Sequence, residues 1–332
     1  MKTRKYNSLI LVVLLAVMVT AVAGCTGNQP VQEKETKPDY PTRNIEMVVG
    51  WGAGGGTDRF ARAIADTLAD ILGQPVVVVN KPGASGSIAG DYVTKQPADG
   101  YTLWAISSNY PLNVALGRTP HKLEEYIPVA RLQHDVGTIQ VAADKGYATI
   151  DDLLNKAKDN PGKITMGGTG AMGFDEIMVK MLEKETDVQF NYVPYEDAGQ
   201  MRAALLGGHI DAMFEEFGPS ISLIKDGSIK VLVAFCEDKV DDFPDVPTTV
   251  EKGWAITDGQ SRGILVRAST PQEIVTALEQ AIDKAKDDPR YKDYEEKSFL
   301  HLRPGYLNSK EFTDYLIKNI EGFSTILKAI GA

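Results

Sequence analysis

The sequence between residues 45 and 266 alternates between short apolar runs and longer amphipathic stretches, and this alternation is its strongest constraint on the fold. The runs predict strands at 45–49, 76–79, 101–106, 139–142, 164–166, 190–193, 212–214, 231–235 and 263–266. Apolar residues at helical spacing predict helices at 57–72, 150–158, 174–185, 197–206, 219–225, 271–286, 291–298 and 309–330. Such alternation favours an α/β fold with mostly parallel sheets covered by helices. The 332 residues suffice for two lobes, since one domain usually has about 100–150 residues.

The N-terminus has the organisation of an export signal. Lys2, Arg4 and Lys5 precede an uncharged, mostly aliphatic run at residues 9–23. That run is shorter than the about 20 residues of a membrane span and has the usual length of a signal-peptide core. It ends in Val22-Ala23-Gly24-Cys25, which resembles a lipobox, where a lipoprotein signal is cleaved and the cysteine is acylated. The alternative is an uncleaved anchor with an accidental cysteine.

We therefore predict a signal peptide at residues 1–24, a lipidated Cys25 and a flexible polar tether up to residue 39. The protein is expected outside the cytoplasm, in the periplasm or on the outer face of the cell membrane, to which the lipid would anchor it. The other cysteine, Cys236, lies in an apolar run and is expected to be an inert core thiol.

The charge of the chain excludes one class of partner. The net charge is −10, and the first 24 residues contain three basic and no acidic side chains, so the remainder is more acidic still. Nucleic acid binding requires clustered Lys and Arg, so we expect no nucleic acid partner. An anionic ligand is not excluded, because main-chain N–H groups can hold an anion inside an acidic protein.

The segment Gly50-Trp51-Gly52-Ala53-Gly54-Gly55-Gly56-Thr57-Asp58 lies between a predicted strand and a predicted helix. Glycine lets a ligand approach the main chain closely, and the helix start offers N–H groups and the positive end of its dipole. This first glycine loop therefore predicts an anion site. It also fits the G-x-G-x-x-G pattern of dinucleotide folds, but Asn80 stands where those folds have an acid, and export disfavours NAD.

From this loop onward the sequence resembles the extracytoplasmic receptors of the tripartite tricarboxylate transporters, the TctC or Bug family. The resemblance covers nearly all of residues 40–332. Motifs similar to those of the family occur in the family's order at residues 52–58, 72–84, 98–103, 160–163, 193–195, 206–208, 244–248 and 270–271.

The resemblance implies a two-lobed binding protein of the type II periplasmic class, whose lobes close on a ligand like a Venus flytrap. The first lobe would comprise residues 40–138 and 257–332, and the second lobe residues 139–256. It further implies a receptor that captures a small carboxylate (a di- or tricarboxylate, an aromatic acid or an acidic amino acid) and delivers it to the membrane subunits of the transporter. We expect the receptor to be a monomer. A receptor that feeds a sensor kinase is the alternative with the same fold.

The resemblance also implies that one loop from each lobe holds the ligand carboxylate. The first loop would contribute Trp51, Gly52, Ala53, Gly54, Gly55, Thr57 and Asp58, with Asp58 capping the helix or orienting a water molecule. The second glycine loop, residues 167–174, would contribute Thr169, Gly170, Gly173 and Phe174. Gly170 matches the family, whereas Gly173, Phe174 and Glu176 depart from it. We add Ser107 and Asn109, which follow the third predicted strand, together with Tyr195 and Glu215.

Several acids lie near these segments, namely Glu176, Glu196, Asp197, Glu215 and Glu216. If they face the cleft, the ligand would carry an amine or a metal ion besides its carboxylate. The simpler interpretation is that water solvates them at the rims of the lobes.

The sequence offers no catalytic constellation. Its four histidines are scattered without metal-ligand spacing, and Gly83-Ala84-Ser85-Gly86-Ser87 differs from the G-x-S-x-G elbow of hydrolases. We therefore predict that the protein is not an enzyme and uses no cofactor and no metal. A lipid-anchored hydrolase is the less favoured alternative.

Overall fold

The computed structural model describes residues 39–331. The predicted signal peptide, the predicted acylation site Cys25 and nearly all of the predicted tether lie outside these described residues. Within them, no helix combines the length and the hydropathy that crossing a membrane requires.

Strands and helices alternate through the described chain as the sequence predicts. The strands are β1 (Ile45–Val49), β2 (Val76–Asn80), β3 (Thr102–Ser107), β4 (Tyr126–His134), β5 (Gly137–Ala142), β6 (Thr165–Thr169), β7 (Asn191–Tyr195), β8 (Ala212–Glu216), β9 (Ile229–Ala234) and β10 (Ser261–Arg267). The α-helices are α1 (Gly56–Leu72), α2 (Ser87–Thr94), α3 (Asn109–Ala115), α4 (Ile150–Asp159), α5 (Phe174–Thr186), α6 (Ala198–Leu206), α7 (Phe217–Lys225), α8 (Gln272–Ala285), α9 (Pro289–Lys297) and α10 (Ser309–Ile330).

The strands form two five-stranded sheets with the orders β2-β1-β3-β10-β4 and β7-β6-β8-β5-β9. The α/β fold class is confirmed. Three neighbouring strands of each sheet pair in parallel, whereas β10 and β5 pair antiparallel with both of their neighbours. These two strands follow crossings between the sheets rather than βα units, so the crossover rule that makes strands parallel does not govern them.

The first helix illustrates how the apolar pattern builds the core. Phe60, Ile64 and Leu68 of α1 recur at helical spacing and are fully buried against the first sheet. The helix ends at Gly73, whose positive φ of 69° places it in the left-handed conformation that glycine adopts without strain.

Three elements were not expected from the sequence: β4, α2 and α3. In β4, Pro128, Arg131 and Gln133 interrupt the apolar pattern that identifies a strand. The structure buries Arg131 all the same, because its guanidinium donates to the carbonyl oxygens of Pro304 and Gly305.

Two connections join the sheets, a short one between β4 and β5 and a longer one between β9 and β10. The last helix, α10, contributes to the cores of both. Its Phe312 and Leu316 pack with β3 and β10 residues of the first sheet, and Phe323 and Leu327 join the core of the second. The lobe boundaries at residues 138/139 and 256/257 stay a prediction.

Candidate functional site

A cavity of about 40 Å³ lies between the two sheets, where β1 and β3 of the first sheet and β6, β7 and β8 of the second reach their carboxyl ends. Ligands of open α/β sheets bind at this edge. The cavity is lined by Trp51, Gly52, Gly55, Gly56, Thr57, Ser107, Asn109, Thr169, Asp175, Glu196, Asp197, Ala198, Glu215, Glu216, Gln260 and Arg262.

The first glycine loop presents the start of α1 to this cavity. Gly55 is the N-cap residue, so no side chain at that position occupies the N–H groups of the first turn. Gly55, Gly56 and Thr57 line the cavity. The 17-residue helix behind them directs the positive end of its dipole at the same point, so this half of the cavity suits an anion.

Asp58 holds the first loop in shape. Its carboxylate accepts hydrogen bonds from the N–H of Gly54 (2.8 Å), from Asn80 Nδ2 (2.8 Å) and from both Arg62 Nε (3.0 Å) and Nη2 (2.9 Å). Burial alone would raise the pKa of Asp58, but the hydrogen bonds from Arg62, Gly54 and Asn80 lower it below its ordinary value. Asp58 is thus an ionised residue that shapes the loop from outside the cavity.

The second glycine loop has the same plan with different side chains. Glu176 accepts a hydrogen bond from the N–H of Met172, four residues earlier, as Asp58 does from Gly54. Asp175, the second residue of α5, accepts hydrogen bonds from Thr169 N (2.8 Å) and Thr169 Oγ1 (2.7 Å). The N–H groups of Thr169 and Met172 are therefore occupied by the protein's own carboxylates.

Two adjacent carboxylates, Glu215 and Glu216, end strand β8 and line the same half of the cavity. Arg202 Nη1 lies 2.9 Å from Glu215 Oε2, and Arg262 Nη2 lies 3.2 Å from Glu216 Oε1. Arg262 also pairs with Asp135, in the short connection between the sheets. Each arginine is thus already engaged by at least one acid.

Burial raises the pKa values of two acids in this half of the cavity, Asp175 and Glu215. The pKa of Asp175 rises to about 7, first because the carboxyl is removed from water and second because Glu216 is close. The same two causes raise the pKa of Glu215 well above its ordinary value. A positive charge placed beside these two acids would stabilise their ionised forms.

The expectation that the acids are solvated at the lobe rims is wrong for Glu215 and Glu216, which are each 6% exposed and line the cavity. Glu196 and Asp197 line it from more exposed positions, and Asp197 also caps α6 through the N–H of Gln200 (2.8 Å). Glu176 does not line the cavity.

The predicted site residues divide into two groups. Those that line the cavity are Trp51, Gly52, Gly55, Thr57, Ser107, Asn109, Thr169 and Glu215. Those that lie outside its lining are Ala53, Gly54, Asp58, Gly170, Gly173, Phe174 and Tyr195.

Three residues of the second group stabilise the structure around the second glycine loop. Phe174 is buried in the second core against Phe214 and Phe323. Gly170 has a positive φ of 76° and donates its N–H to the carbonyl oxygen of Tyr195 (2.9 Å). A side chain at Gly173 would meet the carbonyl oxygen of Thr169 at 2.7 Å. These residues keep the second loop compact.

Sequence reasoning included Gly56 only as part of the first glycine loop, and it did not place Asp175, Ala198, Gln260 and Arg262 in the site. Asp175 follows the predicted loop directly, so extending the loop by one residue would have included it. Gln260 and Arg262 reach the cavity only because β10 enters the first sheet between β3 and β4.

The two halves of the cavity touch each other around its edge. Asn109 Oδ1, at the start of α3, accepts the N–H of Phe174 at the start of α5 (3.0 Å). Arg118 Nη1 donates to the carbonyl oxygen of Ala171 (3.0 Å), and Arg59 Nη1 donates to that of Gly218 (3.3 Å). These contacts join loops of the first sheet to loops of the second beside the cavity.

The sequence profile of the tripartite tricarboxylate transporter family receptor, TctC, matches residues 60–332. The chain belongs to this family. TctC and Bug proteins are extracytoplasmic solute-binding receptors, and membership implies small organic acids as ligands and a tripartite transporter as partner. The family match begins within α1, immediately after the first glycine loop.

Individual TctC and Bug proteins are similar to this chain over most of its length. The protein BugT of Bordetella pertussis is 33% identical over 252 residues, which are 74% of this chain and 77% of BugT. The crystal structure of a TctC solute-binding protein from Polaromonas superposes with a TM-score of 0.67 at 30% identity, covering 87% of this chain and 99% of that one. A protein of R. palustris solved with adipate superposes with a TM-score of 0.80 at 25% identity, covering 88% and 99%.

Proposed function

We propose that this receptor captures a small organic acid by its carboxylate and delivers it to the membrane subunits of a tripartite tricarboxylate-type transporter. The observation that carries the proposal is the first glycine loop, whose Gly55, Gly56 and Thr57 line the cavity at the start of α1. A carboxylate placed there would accept main-chain N–H groups and meet the positive end of the helix dipole. The similar protein that was solved with adipate supports a carboxylate ligand.

Capture would proceed by closure of the two predicted lobes, residues 40–138 with 257–332 and residues 139–256. In this proposal, the hydrogen bonds that Phe174 donates to Asn109 and that Arg118 donates to Ala171 would stabilise the closed form, and a ligand that touches both halves would favour that form over an open one. Closed receptor would then be the species that the transporter recognises.

We further propose that the receptor works as a monomer that a lipid on Cys25 anchors to the outside of the cell membrane. The lipobox-like Val22-Ala23-Gly24-Cys25 supports the anchor. We propose no turnover: among the described residues that line the cavity there is neither a histidine nor a cysteine to activate or supply a nucleophile.

A thermal-shift screen tests the carboxylate claim. The chain without its predicted signal peptide is heated with a panel of mono-, di- and tricarboxylates, aromatic acids and amino acids, with neutral sugars and NAD as controls. A ligand at a hundredfold excess over its Kd adds about 2.7 kcal/mol to the free energy of unfolding. We expect a shift with one class of carboxylate that weakens in Thr57→Val, which removes the hydroxyl group. A shift only with sugars or NAD would refute the proposal.

A further inference from the structure

The two halves of the cavity carry opposite electrostatic character. The first-sheet half offers glycine main chain, Thr57 and the start of α1, whereas the second-sheet half offers the side chains of Asp175, Glu215 and Glu216. We propose that the ligand bears a protonated amine besides its carboxylate, and that the amine binds against Asp175, Glu215 and Gln260. This inference rests on the proposed function for the carboxylate end of the ligand.

The balance of buried charge supports an amine. Asp135, Asp175, Glu215 and Glu216 are all buried, and the arginines that form ion pairs with their carboxylates are Arg202 and Arg262. When ionised, the four acids exceed the two arginines by two negative charges. A plain dicarboxylate would add two more charges of the same sign to a site removed from water, which costs free energy. A ligand with an ammonium group offsets the excess.

A second observation, independent of the acids, comes from Gln260. This side chain is only 4% exposed and lines the cavity. Its Nε2 donates to Asp175 Oδ1 (3.3 Å), while its Oε1 has no hydrogen-bond partner among residues 39–331. Buried carbonyl oxygens of this kind are normally paired. Because Oε1 only accepts, the missing partner must be a donor, and Asp175 and Gln260 together offer acceptors to an ammonium group with three N–H bonds.

The arrangement fits an ammonium group better than a metal ion. In the part of the chain that the structure describes, no three acidic, histidine or cysteine side chains converge in a way that could hold a metal. Glu216 is engaged by Arg262, and Asp175 is engaged by Thr169 on one oxygen and by Gln260 on the other. The raised pKa of Asp175, about 7, also indicates that this carboxyl lacks a compensating positive charge.

Matched ligands that differ only in the amine test the proposal. Binding of L-glutamate and glutarate, of L-aspartate and succinate, and of 4-aminobutyrate and butyrate is measured by calorimetry on the chain without its predicted signal peptide. We expect the amine-bearing member of at least one pair to bind about 10- to 100-fold more tightly, the usual value of a charge-assisted hydrogen bond.

Three variants separate the two ends of the ligand. Glu215→Gln and Gln260→Leu should reduce the preference for the amine about tenfold or more, whereas Thr57→Val should weaken both members of a pair alike. Circular dichroism and melting curves show whether each variant folds, and Gln260→Leu serves as the second variant if Glu215→Gln disturbs the pair with Arg202.

The outcomes distinguish this inference from the function on which it rests. If glutarate or succinate binds as tightly as its amine-bearing partner, the amine site is refuted and the carboxylate receptor stands. If butylamine binds and no carboxylate does, the proposed function fails. If the plain dicarboxylates bind tightly only with added Ca²⁺ or Mg²⁺, a metal takes the place of the amine and the inference is wrong. Absence of binding to every pair overturns both.

Discussion

The two glycine loops have the same architecture and opposite chemistry. Each joins a strand to a helix, and in each the third helical residue, Asp58 or Glu176, accepts the N–H of the residue four positions earlier. The loops differ at the second helical residue, which is Thr57 in α1 and Asp175 in α5. One half of the cavity therefore presents a hydroxyl group and a helix dipole, and the other half presents a carboxylate. This position contributes to the polarity of the cavity together with Glu215 and Glu216 at the end of β8.

Making the first loop acidic like the second should have the largest effect. In Thr57→Asp, a second carboxylate enters the half of the cavity that suits an anion, and it would repel the ligand carboxylate in a site removed from water. We expect calorimetry to show a loss of affinity of at least about 100-fold for the carboxylate that wild type binds best.

The matched control for this change is Thr57→Asn, which has nearly the same size and no charge. It should keep most of the affinity that Thr57→Asp loses. Equal binding by Thr57→Asp and wild type would mean that the carboxylate lies elsewhere in the cavity.

Removing the acid that shapes each loop should lower the free energy of unfolding more at the first loop than at the second. Asp58 accepts hydrogen bonds from Gly54, Asn80 and Arg62, whereas Glu176 accepts one from Met172 and lies 3.9 Å from Lys180. We expect Asp58→Ala to lower the free energy of unfolding by about 2–3 kcal/mol and Glu176→Ala by about 1 kcal/mol.

Urea unfolding at pH 7 measures both values. Comparable losses in the two variants would contradict the view that the first loop depends on a larger hydrogen-bond network than the second.

The pH dependence of stability should differ between Asp175 and Asp58. The folded-state pKa of Asp175 is about 7, above the 3.8 of a free carboxyl, so between these values the folded chain binds more protons than the unfolded chain. The contribution of Asp175 to the free energy of unfolding therefore falls as the pH rises from about 4 to about 7. The pKa of Asp58 is lowered, so its contribution is present above the unfolded value and is lost as the pH falls through the folded one.

Asp175→Asn removes the first of these two effects. Between pH 4 and pH 7, the free energy of unfolding of the variant should rise relative to that of wild type. A difference that stays constant over this range would show that Asp175 does not titrate there.

The smallest expected effect concerns the contact between the halves of the cavity. Asn109→Ala removes the acceptor for the N–H of Phe174, which is worth about 1 kcal/mol, and should weaken ligand binding several-fold through a less stable closed form. Asn113→Ala is a nearby control, because Asn113 donates to the carbonyl oxygen of Ser85, which follows β2 of the first sheet. Weaker binding in Asn113→Ala than in Asn109→Ala would argue against this role.

The sequence predicts the parts of this molecule that depend on repeating patterns. Strand β1 and helix α1 follow from apolar periodicity and from the glycine that ends the helix, and both glycine loops follow from their place between a strand and a helix. Strand β4 is missed because Pro128 and Arg131 break its pattern, although tertiary contacts bury it.

No repeating pattern in the sequence predicts the polarity of the cavity. β8 is buried along its whole length, so alternation cannot tell which way Glu215 and Glu216 face. Gln260 and Arg262 come to the site from the start of β10, and only the strand order of the first sheet brings them there. Such single polar residues at the ends of elements become visible when the three-dimensional structure is known.

A crystal structure of the receptor with the tightest ligand from the screen tests the central claim most directly. The account predicts a ligand carboxylate within hydrogen-bond distance of the main-chain N–H groups at Gly55, Gly56 and Thr57, at the start of α1. A carboxylate bound instead to Arg202, with no ligand atom near the first glycine loop, would contradict it.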